Sequence, residues 1–120
     1  MGLIHYKRGR YKLALKYYST AFYILEILQS DITNTNYGKI SDYVGMIYFE
    51  YGQLIEARQY SLDGLKIFFS HRKEPLLYIN TYINLGLIEC KIGNYYVALD
   101  YFGQAADLFY NQNRIKHGTE

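Results

Sequence analysis

Three sets of small residues recur along this chain in the same register. Within each set the three members lie 43 and then 41 residues apart. The sets are Gly2, Gly45 and Gly86; Gly9, Gly52 and Gly93; and Ala14, Ala57 and Ala98. A period near 40 residues with helical patterning inside each copy is the signature of stacked helix pairs. The repeat therefore predicts an all-α solenoid.

Each copy reads as two helices joined by a tight turn. In the third copy Pro75 suits a first helical turn, where its missing N–H is not needed, and Gly93 suits a helix end. We therefore expect helices over Pro75–Ile92 and 94–110 in the third copy, 37–51 and 53–70 in the second, and 1–8 and 10–29 in the first. The copies cover about residues 1–33, 34–74 and 75–112 of one domain, and a polar tail follows at 113–120.

Two of the repeated glycines stand inside predicted helices. Gly45 and Gly86 each cost about 1 kcal/mol relative to alanine at such positions. A cost repeated in register indicates that a facing helix approaches closely there. Ala57 and Ala98, in the second helix of each pair, are the expected partners of this contact.

The repeated residues resemble a tetratricopeptide repeat. In the third copy the matching residues are Leu85, Gly86, Gly93, Asn94, Tyr95, Ala98, Tyr101, Phe102 and Ala105. The resemblance covers about residues 1–110 and implies a right-handed superhelix of antiparallel helix pairs, about two and a half repeats long. The family's usual period is 34 residues, and this longer form is similar to that of bacterial peptide receptors and regulator sensor domains. It implies a segment of a larger bacterial regulator that acts as a protein- or peptide-binding scaffold.

The resemblance also implies that the first helix of each pair lines a concave groove. The candidate groove residues are Asn80, Asn84, Leu87 and Lys91 in the third copy; Lys39, Tyr43, Met46, Phe49 and Glu50 in the second; and Leu3, Tyr6 and Lys7 in the first. A side-chain amide donates and accepts, so Asn80 and Asn84 are candidates to hold a peptide main chain. Alternatively these two amides are solvated, or they bond to neighbouring helices.

Other classes of function find little support in the residues. His5, His71 and His117 are scattered, no catalytic or phosphate-binding motif is present, and we expect neither an enzyme nor a bound cofactor or metal. Apolar runs are too short to span a membrane. The net charge of +2 does not favour a nucleic-acid partner, and the basic cluster at residues 7–16 reads as a solvated turn. One cysteine, Cys90, fits a reducing, cytoplasmic compartment.

A structural role is the alternative to a binding scaffold. Solenoids need polar caps at their ends. The sequence shows no obvious cap, because the first copy begins with half a helix and the tail is short. Exposed apolar ends favour association with a second copy. The alternative prediction is therefore a homodimer formed through the terminal helices.

Overall fold

A computed structural model of the protein describes residues 10–27, 35–71 and 75–117. This part of the chain contains five α-helices and no strand, which confirms the all-α prediction. The helices are α1 (Tyr11–Ile27), α2 (Thr35–Glu50), α3 (Leu54–His71), α4 (Pro75–Ile92) and α5 (Tyr95–His117).

The two tight turns, between α2 and α3 and between α4 and α5, are built in the same way. Gly52 and Gly93 follow the helix ends with φ of 79° and 106°, in the left-handed region that favours glycine. At the second turn the N–H of Gly93 donates to the Cys90 carbonyl over 3.1 Å, and the N–H of Asn94 donates to the Glu89 carbonyl over 2.9 Å. These bonds satisfy carbonyls that the helix end would leave unpaired. Each turn reverses the chain within three residues.

The interior glycines allow close packing inside each pair. A Cβ at Gly45 would lie 2.9 Å from Ser61 Oγ and 3.1 Å from the Ala57 carbonyl oxygen, so α3 contacts the bare backbone of α2. At Gly86 the added Cβ would overlap the ring of Phe102. The expected contact with Ala57 is therefore confirmed. The three atoms nearest to the Cβ added at Gly86 all belong to the Phe102 ring, and the predicted contact with Ala98 stays a prediction.

Each helix packs against the next along the chain, and α2 also contacts α4. Two apolar clusters result. One joins α1, α2 and α3 around Ala14, Tyr18, Val44 and Ile47. The other joins α3, α4 and α5, and its buried members are Leu65, Phe68, Tyr78, Ile79, Tyr82, Leu85 and Ala105.

The helix bounds agree with the predicted ones at most ends. Helix α4 has the predicted bounds, and α2 and α3 differ from them by one or two residues. Helix α5 continues to His117 instead of ending near Tyr110, since the polar residues after Tyr110 are compatible with a helix exposed to solvent. The predicted fragment at 1–8 lies outside the described residues.

Candidate functional site

The faces of α2 and α4 enclose a groove of about 220 Å³. Five of the nine predicted groove residues of the second and third copies line it: Lys39, Tyr43, Met46, Asn80 and Asn84. Its other lining residues are Asp42, Phe68, Leu77 and Ile83. The direct contact between α2 and α4 brings these residues together, although 41 positions separate Lys39 from Asn80.

The remaining predicted residues lie elsewhere on the same helices. Glu50 is exposed at the end of α2, and Phe49 beside it is half-buried. Leu87 and Lys91 are exposed on the second half of α4. The groove therefore occupies the first half of α4 and the adjoining part of α2. Leu3, Tyr6 and Lys7 lie outside the described residues.

Asp42 forms the polar centre of this groove. Its carboxylate is buried and accepts three side-chain hydrogen bonds from two other helices. Ser61 Oγ of α3 donates to Oδ1 over 3.1 Å. Thr81 Oγ1 and Asn84 Nδ2 of α4 donate to Oδ2 over 3.2 and 3.0 Å. One carboxylate thus holds α2, α3 and α4 together.

The environment of Asp42 raises the pKa of its carboxyl group above the ordinary value of 3.8. Burial is the main cause, because it removes the charged form from water. The hydrogen bonds from Asn84, Ser61 and Thr81 act in the opposite direction but do not cancel the effect of burial. The carboxylate is therefore a destabilised charge at the floor of the groove.

The two asparagines differ in their surroundings. Asn84 is half-buried and donates a hydrogen bond to Asp42 of α2. Of the alternatives given above for the two amides, bonding to a neighbouring helix therefore applies to Asn84. That bond uses one N–H of the amide, and the amide also has a second N–H and an oxygen with which it can bind a ligand. Asn80 lies one turn earlier, is exposed, and presents its amide at the rim of the groove.

A second cavity, of about 390 Å³, lies on the other side of α2. It shares Lys39 and Tyr43 with the groove, and its other lining residues are Tyr18, Ala21, Ile24, Asn36 and Ile40. The rings of Tyr18 and Tyr43 stack with centroids 5.6 Å apart. The two cavities are therefore neighbours across the Lys39 and Tyr43 side chains.

Sequence reasoning missed the contribution of α1 to this surface. Tyr18, Ala21 and Ile24 are spaced three residues apart, so they follow one face of a helix. That spacing was the available signal. It could not indicate which neighbour the face meets, because Ile24 and Asn36 belong to different helices.

A larger and mainly apolar cavity of about 530 Å³ lies away from the groove, between α3, α4 and α5. Phe69, Pro75, Tyr78, Tyr82 and Leu108 line it, with Gln104 and Asp107. Tyr78 and Tyr82 are core residues, so this cavity is continuous with the apolar cluster of α3, α4 and α5. No motif or spacing predicted this cavity.

The described residues contain no cluster of three histidine, cysteine, aspartate or glutamate side chains that could hold a metal ion. Cys90 is an exposed free thiol on α4. None of the described helices has the length and apolar character that crossing a membrane requires. The sequence matches no protein-family model and no curated protein.

Proposed function

We propose that this protein is a non-catalytic scaffold that binds a peptide or protein segment across α2. The observation that carries the proposal is the pair of adjacent cavities sharing Lys39 and Tyr43. The residues that line the two cavities come from α1, α2, α3 and α4, and we propose that one ligand occupies both cavities. The proposal includes a tetratricopeptide-type solenoid, supported by the repeated helix pairs and by the contact between α2 and α4.

The two cavities suit different parts of one ligand. The cavity beside α1 is formed mainly by apolar side chains, including Ile24 and Ile40, and suits an apolar side chain. The groove beside α4 presents the amides of Asn80 and Asn84 and the amine of Lys39. Amide groups pair with both the N–H and the carbonyl of a peptide, so this half suits an exposed main chain. The ligand we propose combines an apolar anchor with an extended segment.

The test is selection of peptides from a random library on the wild-type chain, followed by titration of the selected peptides against variants. Asn80→Ala removes an amide at the rim of the groove, and Asn111→Ala is its matched control on α5, where the asparagine is also exposed. Ile24→Asp places a charge in the apolar cavity. Ile55→Asp is its control at an exposed isoleucine of α3.

We expect Asn80→Ala and Ile24→Asp each to weaken binding by about tenfold, the equivalent of about 1.4 kcal/mol. Neither control should change the affinity, and all four variants should retain the helical circular dichroism of the wild type. If no peptide is selected, or if the controls weaken binding as much as the groove variants, the proposal is wrong.

A further inference from the structure

The two buried carboxylates that the structure describes differ in how their charge is balanced. Glu89 is 3% exposed and forms an ion pair with Arg58. Asp42 is 8% exposed, and no described lysine or arginine forms an ion pair with it. Its three bonding partners are neutral hydroxyl and amide groups. Buried charges in proteins are ordinarily paired, because burial penalises an isolated ion. The negative charge of Asp42 is therefore left without a counter-charge.

Asp42 also lines an open cavity, the groove between α2 and α4. A positive group that enters this groove would supply the missing counter-charge. The raised pKa of the Asp42 carboxyl group agrees with this reading, because burial disfavours its ionised form and the neutral donors do not compensate fully. The groove is thus complementary in charge to a cation.

The bonds to the Asp42 carboxylate indicate which kind of cation fits. Oδ1 accepts one hydrogen bond, from Ser61, and Oδ2 accepts two, from Thr81 and Asn84. A carboxylate oxygen has two lone pairs, so the remaining acceptor site lies on Oδ1. A guanidinium group binds a carboxylate best through both oxygens, which the two bonds to Oδ2 oppose. An ammonium group is a compact charge that needs only one oxygen.

Other groups that line the groove suit an ammonium group. It carries three N–H donors, and the side-chain oxygens of Asn80 and Asn84 receive no hydrogen bond from a described residue. The ring of Tyr43 offers an aromatic face, which attracts cations. Lys39 lines the groove too, three residues before Asp42, but these two side chains form no ion pair. Lys39 therefore leaves the carboxylate available to a ligand.

We propose that the groove binds a primary ammonium group against the Asp42 carboxylate. The ammonium group is either the N terminus of a peptide or the side chain of a lysine within it. Its remaining N–H groups donate to the amide oxygens of Asn80 and Asn84. This inference rests on the proposed function and names the part of the ligand that occupies the groove.

The first experiment offers the full chain three pools of short random peptides that contain neither arginine nor histidine. One pool has a free N terminus and no lysine. The second is acetylated at the N terminus and contains one lysine. The third is acetylated and has norleucine in place of that lysine, so it carries no ammonium group. We expect the tightest peptides of the first or second pool to bind about tenfold more tightly than those of the third. The pool that supplies them identifies the source of the ammonium group.

The second experiment assigns this preference to Asp42. The selected peptide and its uncharged counterpart, acetylated or with norleucine, are titrated against wild type, Asp42→Asn and Asp63→Asn. Asp63 is the matched control, because it is an exposed aspartate on α3 outside the groove. The charged peptide should keep its advantage of about tenfold with wild type and Asp63→Asn, and lose most of it with Asp42→Asn. Incomplete folding of Asp42→Asn lowers both affinities alike, so the ratio of the two affinities still reports the contact.

Two results would overturn the ammonium site and leave the scaffold intact. One is a third pool whose peptides bind as tightly as those of the other pools. The other is an advantage of the charged peptide that Asp42→Asn does not reduce. If peptides from none of the pools bind, the proposed function itself fails, and the ammonium site fails with it. If Asp42→Asn does not fold at all, the comparison of the three pools on the wild-type chain decides.

Discussion

Arg58 of α3 and Glu89 of α4 form a two-pronged ion pair. Arg58 Nε donates to Oε2 over 2.7 Å, and Nη2 donates to Oε1 over 3.0 Å. The Glu89 side chain is almost fully buried and also accepts a hydrogen bond from Asn94 Nδ2 over 2.9 Å. The pair joins the second helix of one copy to the first helix of the next. It explains why the third copy has a glutamate where the second has Tyr48.

Removing only the arginine should destabilise the protein. Arg58→Met leaves the Glu89 carboxylate buried without its cation, and we expect the free energy of unfolding to fall by about 1–3 kcal/mol. This loss is smaller than that for a fully buried ion pair, because 31% of the Arg58 side chain is exposed to water. Chemical denaturation measures this change. The double variant Arg58→Met/Glu89→Gln should recover part of the loss, and a double variant as unstable as the sum of the single ones would contradict the coupling.

The pH dependence of Glu89 follows from the same contacts. The hydrogen bond from Arg58 is the main reason why the pKa of Glu89 lies below its ordinary value of 4.5. A carboxyl group with a lowered pKa stabilises the fold above the ordinary pKa and loses that contribution as the pH falls through the folded value. The advantage in melting temperature of wild type over Glu89→Gln should therefore shrink as the pH falls from 4.5 through the lowered folded pKa. A difference that stays constant as the pH falls below 4.5 would show that the pKa is not lowered.

The contribution of Asp42 to stability should depend on pH in the opposite direction to that of Glu89. Burial raises its pKa, so the ionised form costs stability at neutral pH. As the pH falls from neutral through the raised pKa towards 3.8, this cost disappears and the contribution of Asp42 to stability increases. The melting temperature of the wild type relative to Asp42→Asn should therefore rise as the pH is lowered over that interval. A difference that is constant or decreases with acidification would contradict the raised pKa.

Gly86→Ala and Gly103→Ala should change the free energy of unfolding in opposite directions. Gly86→Ala gains helix propensity but places a methyl group against the Phe102 ring, and we expect a net destabilisation of about 1–3 kcal/mol. Gly103→Ala meets no described atom within 4 Å and should stabilise the monomer by about 0.5–1 kcal/mol. Denaturation at a concentration low enough to keep the chain monomeric measures both changes. Equal effects of the two variants would contradict the close contact at Gly86.

The turn glycine Gly93 is required for its backbone conformation. Its φ of 106° is strained for a side chain, although a Cβ there would meet no described atom within 4 Å. Gly93→Ala should therefore cost about 1 kcal/mol of stability, and Gly93→Asn should cost less, because asparagine tolerates the left-handed region better. A cost for Asn as large as that for Ala, measured by denaturation, would indicate a cause other than the backbone.

The local features of this fold could be predicted from the sequence. Pro75 marks the start of α4, because proline is tolerated in the first turn of a helix. Gly93 marks its end, because glycine adopts the positive φ found there. The repeated Gly45 and Ala57 indicated the close approach of α2 and α3, which the structure confirms. Such signals depend on residues near one another along the chain or on their repetition, and both can be read from a single sequence.

The polar contacts between helices could not be predicted in this way. Asp42 and Thr81 are 39 residues apart, and Arg58 and Glu89 are 31 residues apart. No repeat relates these pairs, since each occurs once. Asn84 was predicted as a groove residue, but its bond to Asp42 depends on how α4 lies against α2. The prediction that these groove residues bind a peptide stays a prediction.

The bonds to Asp42 have a mechanical consequence. The groups that would meet a ligand in the groove include Asn84, and the same amide helps to hold α4 against α2. A ligand that bonds to this amide competes with the carboxylate for it, so occupancy and the spacing of the two helices are linked. Ligand binding in the groove would then alter hydrogen exchange at backbone amides of α3, because Ser61 of α3 donates a hydrogen bond to the same carboxylate. Binding between α2 and α4 would therefore be detectable on α3, a helix outside that contact.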